Sequence, residues 1–430
     1  MGPLTEAADP AASGAYTRAY QAYVLLVLLV VYTFNFIDRI VLGILVAPIK
    51  LELHLTDTQL GFLGGSAFAL FYTALGIPIG WLADRTNRVW IMTAALGCWS
   101  AFTGCSGLAH SFVMLFVARL GVGVGEAGGV APAYSLIADY FRPAERARAL
   151  GLYSFGIPIG SALGVMFGGY IAVMFNWRTA FYALGLAGLL LVPLLIGTVK
   201  EPVRGRFDLA TNTSDAADFR EVWGRLQGNP SFWLLSVGAA CGSIMGYGLL
   251  FWLPSFFIRT YAMSLLDVSR YLGGVLLVGG ISGIALGSYL ADRYGSRGRA
   301  AYAVIPAVAF LLILPCYVLA IALPPRPLTF AFFILPAALQ VAWLGPVITA
   351  IQHLVPPSMR SMASATFLFV NNLLGLGLGS LLIGLASDAL AARFGNASLR
   401  YAILGGSGFY VLAALFFIMA ARRLTRDWAR

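Results

Sequence analysis

The sequence predicts an all-α membrane protein with twelve transmembrane helices arranged in two six-helix halves. Of its 430 residues, 60% are hydrophobic and only 11% are charged, whereas soluble domains carry about 25% charged residues. Apolar runs of about 20 residues, the length of a helix that spans a bilayer, recur along the chain. One long hydrophilic stretch, residues 199–229, divides these runs into two sets.

The apolar runs define the helices of each half in order. In the N-terminal half we predict helices at 22–48, 57–82, 89–109, 111–139, 145–174 and 178–198. In the C-terminal half we predict helices at 230–260, 267–291, 300–323, 327–354, 359–391 and 400–421. The predicted domains are residues 1–198, which carry the charges inside the membrane, a cytoplasmic linker at 199–229, and residues 230–430.

The basic residues predict the orientation, since cytoplasmic loops of membrane proteins are enriched in Lys and Arg. With both termini in the cytoplasm, about 19 basic residues fall on the cytoplasmic side and 7 on the opposite side. This asymmetry accounts for the net charge of +10 without any nucleic-acid partner. The excess of Arg over Lys is typical of a GC-rich bacterial genome, so we expect this multi-pass protein in a bacterial inner membrane.

Short motifs recur in the two halves at matching places. The string LADR occurs at 82–85 and again at 290–293, each time at the end of the second helix of its half. PAER at 143–146 is matched by PSMR at 357–360, each time before the fifth helix. Repeats with the same topology, related by an axis along the membrane normal, are typical of two-domain transporters.

Four stretches of the N-terminal half carry a family resemblance that extends over the whole chain. GWLADRTNR at 80–88 resembles the signature between the second and third helices of the major facilitator superfamily, although Thr86 and Asn87 depart from it. RLGVGVGEAG at 119–128, FRPAERARALG at 141–151 and NWRTAF at 176–181 are similar to its signatures further along. Within the superfamily, NFIDRIVLGILVAPI and GVGEAGGVAPAYSLIADYF resemble the spinster-like family. That resemblance implies transport of sphingolipids or lysophospholipids, with protons as the proposed coupling ion.

The resemblance also implies a gate at the cytoplasmic ends of the helices. It would close the cytoplasmic side when the cavity opens outward, and its residues are Asp84, Arg85, Arg146, Asp292, Arg293 and Arg360. The alternative is that these charges only set the topology and solvate the helix ends. Individual ion pairs at such positions are weak, but a shift of a few kcal/mol redistributes two conformations.

The glycines predict close helix packing. Gly123, Gly125 and Gly128 fit the GxGxxG pattern of dinucleotide sites, but no strand precedes them, so that interpretation fails. Small residues at four-residue spacing lie on one helix face and let two backbones approach each other. Three helices have this spacing, with Gly at 121, 125 and 129, at 156, 160, 164 and 168, and at 279, 283 and 287.

Four charged residues lie deep inside the predicted membrane segments: Asp38 and Arg39 on the first helix, Arg119 and Glu126 on the fourth. Each such charge costs about 2.5–3.5 kcal/mol on insertion scales, so intramembrane charges are usually functional. Asp38 and Arg39 point about 100° apart, so their partners should lie on another helix. Counting from the outer ends places Asp38 about 14 Å deep and Arg119 about 12 Å deep. We therefore expect Asp38 and Arg119 to form an ion pair in at least one conformation.

This cluster is the candidate proton-coupling site. Arg remains charged at any physiological pH, so only Asp38 and Glu126 can titrate. A carrier that opens and closes changes the desolvation and pairing of these carboxyl groups, which changes their proton affinity. The alternative is a static ion-pair cluster that holds the first half together.

The second half lacks charges at the matching positions, and its candidate residues are aromatic or amide. The predicted substrate site combines Arg39 and Arg119 with Tyr247, Phe251, Trp252, Gln340, Trp343, Asn371 and Asn372. Such a site would present a cationic pole on the first half and an aromatic, apolar wall on the second. It suits an amphipathic anion or zwitterion, although each aromatic or amide residue alone is more often a packing residue.

We therefore predict a secondary active transporter that moves an amphipathic lipid by proton-coupled alternating access. A drug or organic-anion carrier of the same fold is the alternative, and a non-transporting receptor is less consistent with four buried charges. No nucleophile–base set and no metal-ligand cluster is evident in the sequence, so we expect neither an enzyme nor a metal site. We expect no cofactor other than the coupling proton, and a monomer whose partners are its amphipathic substrate and the lipid bilayer.

Overall fold

The fold was obtained as a computed structural model that describes residues 16–83, 85–207, 219–295, 297–322, 332–356 and 359–428. Within these ranges every regular element is a helix. The first half contains α1 (Arg18–Leu53), α2 (Asp57–Gly64), α3 (Ser66–Ala83), α4 (Arg88–Ser106), α5 (Phe112–Glu126), α6 (Val130–Tyr140), α7 (Pro143–Ser154), α8 (Gly156–Met174) and α9 (Trp177–Thr198). The rest of the chain contains α10 (Phe219–Gln227), α11 (Pro230–Tyr261), α12 (Leu265–Gly295), α13 (Ala301–Ala322), α14 (Ile334–Val341), α15 (Leu344–His353), α16 (Arg360–Asn371), α17 (Gly377–Phe394), α18 (Ser398–Gly406) and α19 (Gly408–Asp427).

The predicted membrane spans are present. Among the described residues, eleven helical stretches are long and apolar enough to cross a bilayer. The last stretch, Met362–Asp427, is 66 residues long, which is more than twice the length that one span needs. The chain bends back within it at Gly395, whose φ of 51° favours glycine, so this stretch supplies the predicted eleventh and twelfth spans. The all-α fold with twelve spans is therefore confirmed.

Several predicted helices are interrupted. Among the described residues, the predicted helices at 57–82, 111–139, 145–174 and 327–354 each contain two shorter helices, and a π-helical segment, Asn372–Leu376, separates α16 from α17. The break at Gly65 lies where a Cβ atom would meet the main-chain oxygen of Leu376 and the hydroxyl of Ser380. The first break therefore lies at a contact between the two halves.

The glycine-lined contacts predicted from spacing are confirmed. In α8, Gly160 and Gly164 face the main chain of Thr33 and Ile37 in α1. In α12, Gly283 faces the main chain of Ala338 in α14. A larger residue at these positions would separate the helix pairs, since the neighbouring atoms are backbone.

The two halves meet where α1, α2 and α8 of the first half pack against α11, α17 and α12 of the second. Gly43 of α1 lies against the main chain of Phe251 in α11, and Gly273 of α12 lies against Met166 in α8. A third contact joins α2 to α17, where Gly61 faces the main chain of Ser380. These contacts place Asp38 and Arg39 close to the interface between the halves.

The hydrophilic connection contains a helix that the sequence analysis did not predict. In α10, Val222 and Leu226 are buried, and the carbonyl of Leu226 accepts a hydrogen bond of 3.0 Å from Trp233 Nε1 of α11. Alternation of these apolar residues with Arg220 and Arg225 gives the segment one buried face. The predicted domain limits and the cytoplasmic position of both termini stay predictions.

Candidate functional site

The site begins on α1, an apolar helix in which Asp38 and Arg39 are neighbours. The relative exposure of Asp38 is 1%, and that of the Arg39 side chain is 8%. Because adjacent residues of a helix point in different directions, the two side chains meet different partners. The Asp38 carboxylate lies near Glu126 and Arg119 of α5, whereas Arg39 pairs with Glu126 and lies against aromatic rings of α1 and α3.

Arg39 and Glu126 form a buried ion pair between α1 and α5. Arg39 Nε donates to Glu126 Oε2 at 2.5 Å, and the Glu126 side chain is fully buried. The sequence places these residues in one cluster, but depth alone predicts the ion pair for Asp38 and Arg119. Burial makes such a pair costly to form and more costly to break on one side only.

Three aromatic rings surround the Arg39 guanidinium. Its central carbon lies 5.1 Å from the ring centre of Phe36, 5.1 Å from that of Phe68 and 4.6 Å from that of Tyr72. Each ring offers its negative face to the cation, which stabilises a buried guanidinium. All three residues belong to the first half. Aromatic rings therefore lie in the charged half as well, and the predicted division into a charged half and an aromatic half does not hold around Arg39.

Arg119 lies at the same level as Asp38, as predicted. Its Nη1 donates to the main-chain oxygen of Asp38 at 3.2 Å, and its guanidinium carbon lies 5.7 Å from the ring centre of Phe68. Phe68 therefore contacts both guanidinium groups. The contact of Arg119 with Asp38 is to the backbone in this conformation, and the side-chain ion pair stays a prediction for another conformation.

Several buried polar atoms around this cluster have no hydrogen-bond partner among the described residues. They are Asp38 Oδ1, Arg39 Nη2, Arg119 Nε, Glu126 Oε1, both side-chain polar atoms of Asn35, and the hydroxyls of Ser100 and Thr103. Buried polar groups usually find a partner, and exceptions concentrate at functional sites. The cluster therefore has donors and acceptors for water, a proton or a polar ligand group.

A small cavity joins this cluster to the second half. Its walls include Arg39, Arg119 and Phe68 from the first half and Tyr247 and Phe251 from the second. Its volume is about 30 Å³, which is room for about one water molecule. The charged pole and part of the predicted aromatic wall thus meet, but a drug-sized ligand fits only after the halves separate, since such sites measure about 300–1,000 Å³.

Other predicted substrate residues lie elsewhere in the second half. Trp252 is fully buried and its Nε1 donates to the carbonyl of Ser380 at 2.8 Å. Gln340 accepts from the hydroxyls of Tyr317 and Tyr410 at 3.4 and 3.3 Å. Asn371 accepts from the hydroxyl of Ser243 at 2.8 Å. The structure does not place these three side chains on the cavity wall, because polar partners within the second half hold them.

The remaining two predicted substrate residues are also away from this cavity. Trp343 is buried beside Phe367, with ring centres 6.3 Å apart. Asn372 is half-buried and begins the π-helical segment. Of the residues predicted on the second half, the structure therefore brings Tyr247 and Phe251 to the charged cluster.

The predicted gate residues contact groups near them in the chain. Arg85 covers the ring of Trp81 at 3.9 Å, Arg146 Nε donates to the carbonyl of Ala138 at 2.9 Å, and Arg293 donates to the Tyr289 hydroxyl at 3.0 Å. Arg360 donates to the carbonyl of Gln352 at 3.1 Å, and Asp292 is exposed. Asp84 lies outside the described residues. The cytoplasmic gate stays a prediction for the conformation in which the cavity opens outward.

A second buried ion-pair cluster, which was not predicted from the sequence, lies near the predicted cytoplasmic ends of the helices. Arg88 is one of the basic residues assigned to the cytoplasmic side, but it is buried and pairs with Asp139 at 2.5 Å and Glu201 at 2.6 Å. It also donates to the hydroxyl of Ser135 at 2.7 Å. One feature of the sequence could have predicted this cluster, since Asp139 is an acidic residue at the end of an apolar run and needs a cationic partner. The cluster ties α4, α6 and the segment after α9 together.

Known proteins share both the sequence pattern and this architecture. The Major Facilitator Superfamily profile matches residues 28–380. An "MFS-type efflux pump" of Mycolicibacterium smegmatis is 33% identical over 402 residues, which cover 93% of this chain and 92% of that protein. "Protein spinster homolog 1" of Xenopus tropicalis is 30% identical, covering 91% of this chain and 80% of that protein.

A solved structure agrees with these relatives. It is the crystal structure of a bacterial homolog to the human lysosomal transporter Spinster in an inward-facing and unoccupied conformation. It superposes with a TM-score of 0.88 at 32% identity, covering 96% of this chain and all of that chain. The family and the fold are those of transporters rather than enzymes. The chain therefore belongs to the Major Facilitator Superfamily and is an integral, multi-pass membrane transporter of the spinster type.

Proposed function

We propose that this transporter moves an amphipathic lipid, such as a sphingolipid or lysophospholipid, by proton-coupled alternating access. The observation that carries the proposal is a buried cluster of two carboxylates and two guanidiniums, whose arginines line a cavity between the halves. Such a cluster is costly in a membrane and is most useful to a carrier whose states differ in hydration. The proposal places the carrier as a monomer in a bacterial inner membrane, with both termini in the cytoplasm.

Charge balance supports protons as the coupling ion. Asp38 and Glu126 together balance Arg39 and Arg119, so a metal cation entering the cluster would meet two fixed positive charges. A proton instead neutralises a carboxylate in place, which weakens the Arg39–Glu126 pair and releases an arginine for a ligand. Protonation and binding of an anionic group are thereby linked through one ion pair.

The polarity of the cavity supports an amphipathic cargo. Arg39 Nη2 and Arg119 Nε are buried without partners among the described residues, and guanidiniums bind phosphate and carboxylate groups well. The opposite wall includes Tyr247, Leu250 and Phe251. An acyl tail buried there would gain about 0.8 kcal/mol per CH₂.

One comparison favours the alternative cargo class. The Mycolicibacterium smegmatis relative is described as an efflux pump, so a drug or organic-anion carrier is the second candidate. Both candidates use the same charged cluster, but they differ in what affinity depends on. Affinity for a lipid should rise with chain length until the cavity is filled, whereas affinity for a compact anion should not.

The first test is transport in proteoliposomes with an imposed pH gradient. We expect labelled lysophospholipid or sphingoid phosphate to accumulate with the gradient and to stop accumulating when an ionophore collapses it. Accumulation that ignores the gradient would contradict proton coupling, while leaving the cargo class open.

The second test is binding of a homologous series of lysophospholipids to wild type, Arg119→Ala and Arg119→Lys. We expect affinity to rise with chain length in all three proteins, because the tail site is unchanged. Headgroup preference should fall in Arg119→Ala and recover partly in Arg119→Lys, which keeps the charge but not the planar fork. Affinity independent of chain length would favour the organic-anion carrier.

A further inference from the structure

Polar side chains from both halves meet at the end of the bundle where α1 ends and α2 begins. This end lies opposite the predicted cytoplasmic loops, so we call it the outer end. The residues that meet there are Lys50, Asp57 and Thr58 of the first half and Arg259, Ser387 and Asp388 of the second. None of them belongs to the charged cluster around Arg39.

Asp57 of the first half is bound mainly by the second half. Arg259 donates from both terminal nitrogens, at 2.6 Å to Oδ2 and 2.7 Å to Oδ1, and the Ser387 hydroxyl donates to Oδ2 at 2.7 Å. Lys50, from its own half, approaches Oδ1 at 2.5 Å. A bidentate Arg–carboxylate pair is among the stronger and more directional contacts in proteins.

Asp388 of the second half is bound by the first half in return. It accepts from the main-chain nitrogens of Asp57 and Thr58 at 3.2 and 2.7 Å, and from the Thr58 hydroxyl at 2.6 Å. These nitrogens have no acceptor within α2, because they lie in its first turn, where a carboxylate is electrostatically favoured. A side chain of one half therefore caps a helix of the other.

Backbone packing continues this contact toward the centre of the protein. The Ser380 hydroxyl donates to the carbonyl of Gly61 at 2.7 Å, and a Cβ atom on Gly384 would meet the main chain of Asp57. The two halves therefore cannot separate at this end without losing the Asp57 and Asp388 contacts together.

We infer that Asp57–Arg259 and Asp388–α2 form a reciprocal latch that holds the outer end closed, and that releasing both opens the cavity outward. The inference rests on the proposed alternating access. Each half supplies one carboxylate to the other, so the loss of either contact weakens the other. Lys50 moves with Asp57 and keeps that carboxylate paired after release, which lowers the cost of the open state.

The same end offers a matched control. Glu52 accepts from Arg178 and from Trp177 Nε1, and all three residues belong to the first half. This ion pair has the same chemistry and the same level in the bundle, but it does not join the halves. Removing it should leave the opening of the outer end unchanged.

The test is the distance between spin labels at Leu51→Cys and Asn396→Cys, measured by double electron–electron resonance. Leu51 is 77% exposed and Asn396 is exposed on the second half, and the four native cysteines are first replaced. We expect Arg259→Gln and Asp388→Asn each to raise the population at long distance by about tenfold. Glu52→Gln should match wild type. Unchanged distances in both latch variants, or an equal change in Glu52→Gln, would overturn the inference.

A locked variant keeps the test decisive if a latch variant does not fold. The side chains of Thr58 and Asp388 are in contact, so oxidation or a short thiol cross-linker should join Thr58→Cys to Asp388→Cys. We expect the joined protein to lose the long-distance population and transport, and reductant to restore both after oxidation. Pulsed-resonance distances need no substrate and no proton gradient, so failure of the lipid or proton proposal would not affect them. Outward opening that persists in the joined protein would refute the latch.

Discussion

Replacing Glu126 by Gln is the most direct perturbation of the proposed coupling mechanism. The substitution removes a titratable carboxyl group and a charge but keeps the length of the side chain and an oxygen that can accept from Arg39. We expect Glu126→Gln to retain exchange of substrate across the membrane and to lose accumulation driven by a pH gradient. Exchange needs the cavity to alternate, whereas accumulation also needs a proton to be carried.

The structure sets the expected loss of stability. Glu126 is fully buried and its oxygen lies 2.5 Å from Arg39 Nε, and removing one partner of such a pair typically costs about 3–5 kcal/mol. The Gln oxygen keeps a hydrogen bond to a charged donor, worth about 1.5–3 kcal/mol. The three rings around Arg39 also continue to stabilise the cation. We therefore expect a net loss of about 1–3 kcal/mol, small enough for the protein to remain folded.

Two measurements test the predicted loss of stability and the predicted loss of proton coupling. The free energy of unfolding in detergent measures stability, and proteoliposomes with and without a pH gradient separate exchange from accumulation. The control is Glu52→Gln, whose pair with Arg178 is partly exposed and should contribute less than about 1 kcal/mol. Full pH-driven accumulation by Glu126→Gln would refute the role of Glu126 as the proton carrier. An equal loss in Asp38→Asn would assign the proton to the cluster rather than to one residue.

Three further predictions concern packing and buried charge. Phe68→Met should destabilise the protein by about 1–2 kcal/mol more than Phe62→Met, because Phe68 faces two guanidiniums, whereas Phe62 stacks on the neutral ring of Phe116; unfolding in detergent measures the difference. Gly283→Ala should cost about 1–3 kcal/mol because its Cβ would collide with the main chain of Ala338, whereas Gly274→Ala, with open space around it, should be neutral or stabilising. Arg88→Gln should cost about 3–5 kcal/mol, because it leaves Asp139 and Glu201 without their cation; equal stability to wild type would show that the cluster is not structural.

The fold could be predicted from the sequence because each membrane span is recognised from the hydropathy of its own residues. Hydropathy and the internal repeat need no knowledge of neighbours, so the twelve spans and the glycine-lined contacts were predicted correctly. The breaks at Gly65 and after Glu126 were not predicted, since hydropathy is continuous across them. They arise where a helix of the other half, or a neighbour in the same half, approaches the backbone closely.

The site could be predicted only in part, for a related reason. Charges in apolar helices are conspicuous, so Asp38, Arg39, Arg119 and Glu126 were identified. Their pairing depends on helix rotation, which depth alone does not determine, and Arg39 rather than Arg119 forms the ion pair seen here. Aromatic residues are common in every span, so nothing in the sequence separates Phe68, which lines the cavity, from Trp343, which packs in the second half.

A single stripe of residues connects the outer latch to the charged cluster. Asp57 binds Arg259, Gly61 accepts from Ser380, Gly64 faces the ring of Phe251, and Phe68 contacts both guanidiniums. These positions are separated by four, three and four residues, so they follow one helical face from the outer end to the cavity. Movement of α11 and α17 away from this face would release the latch and withdraw Phe251 from Gly64 together. We therefore expect outward opening to hydrate Arg39 and Glu126. Closure of the outer end is thereby linked to the proton affinity of the charged cluster.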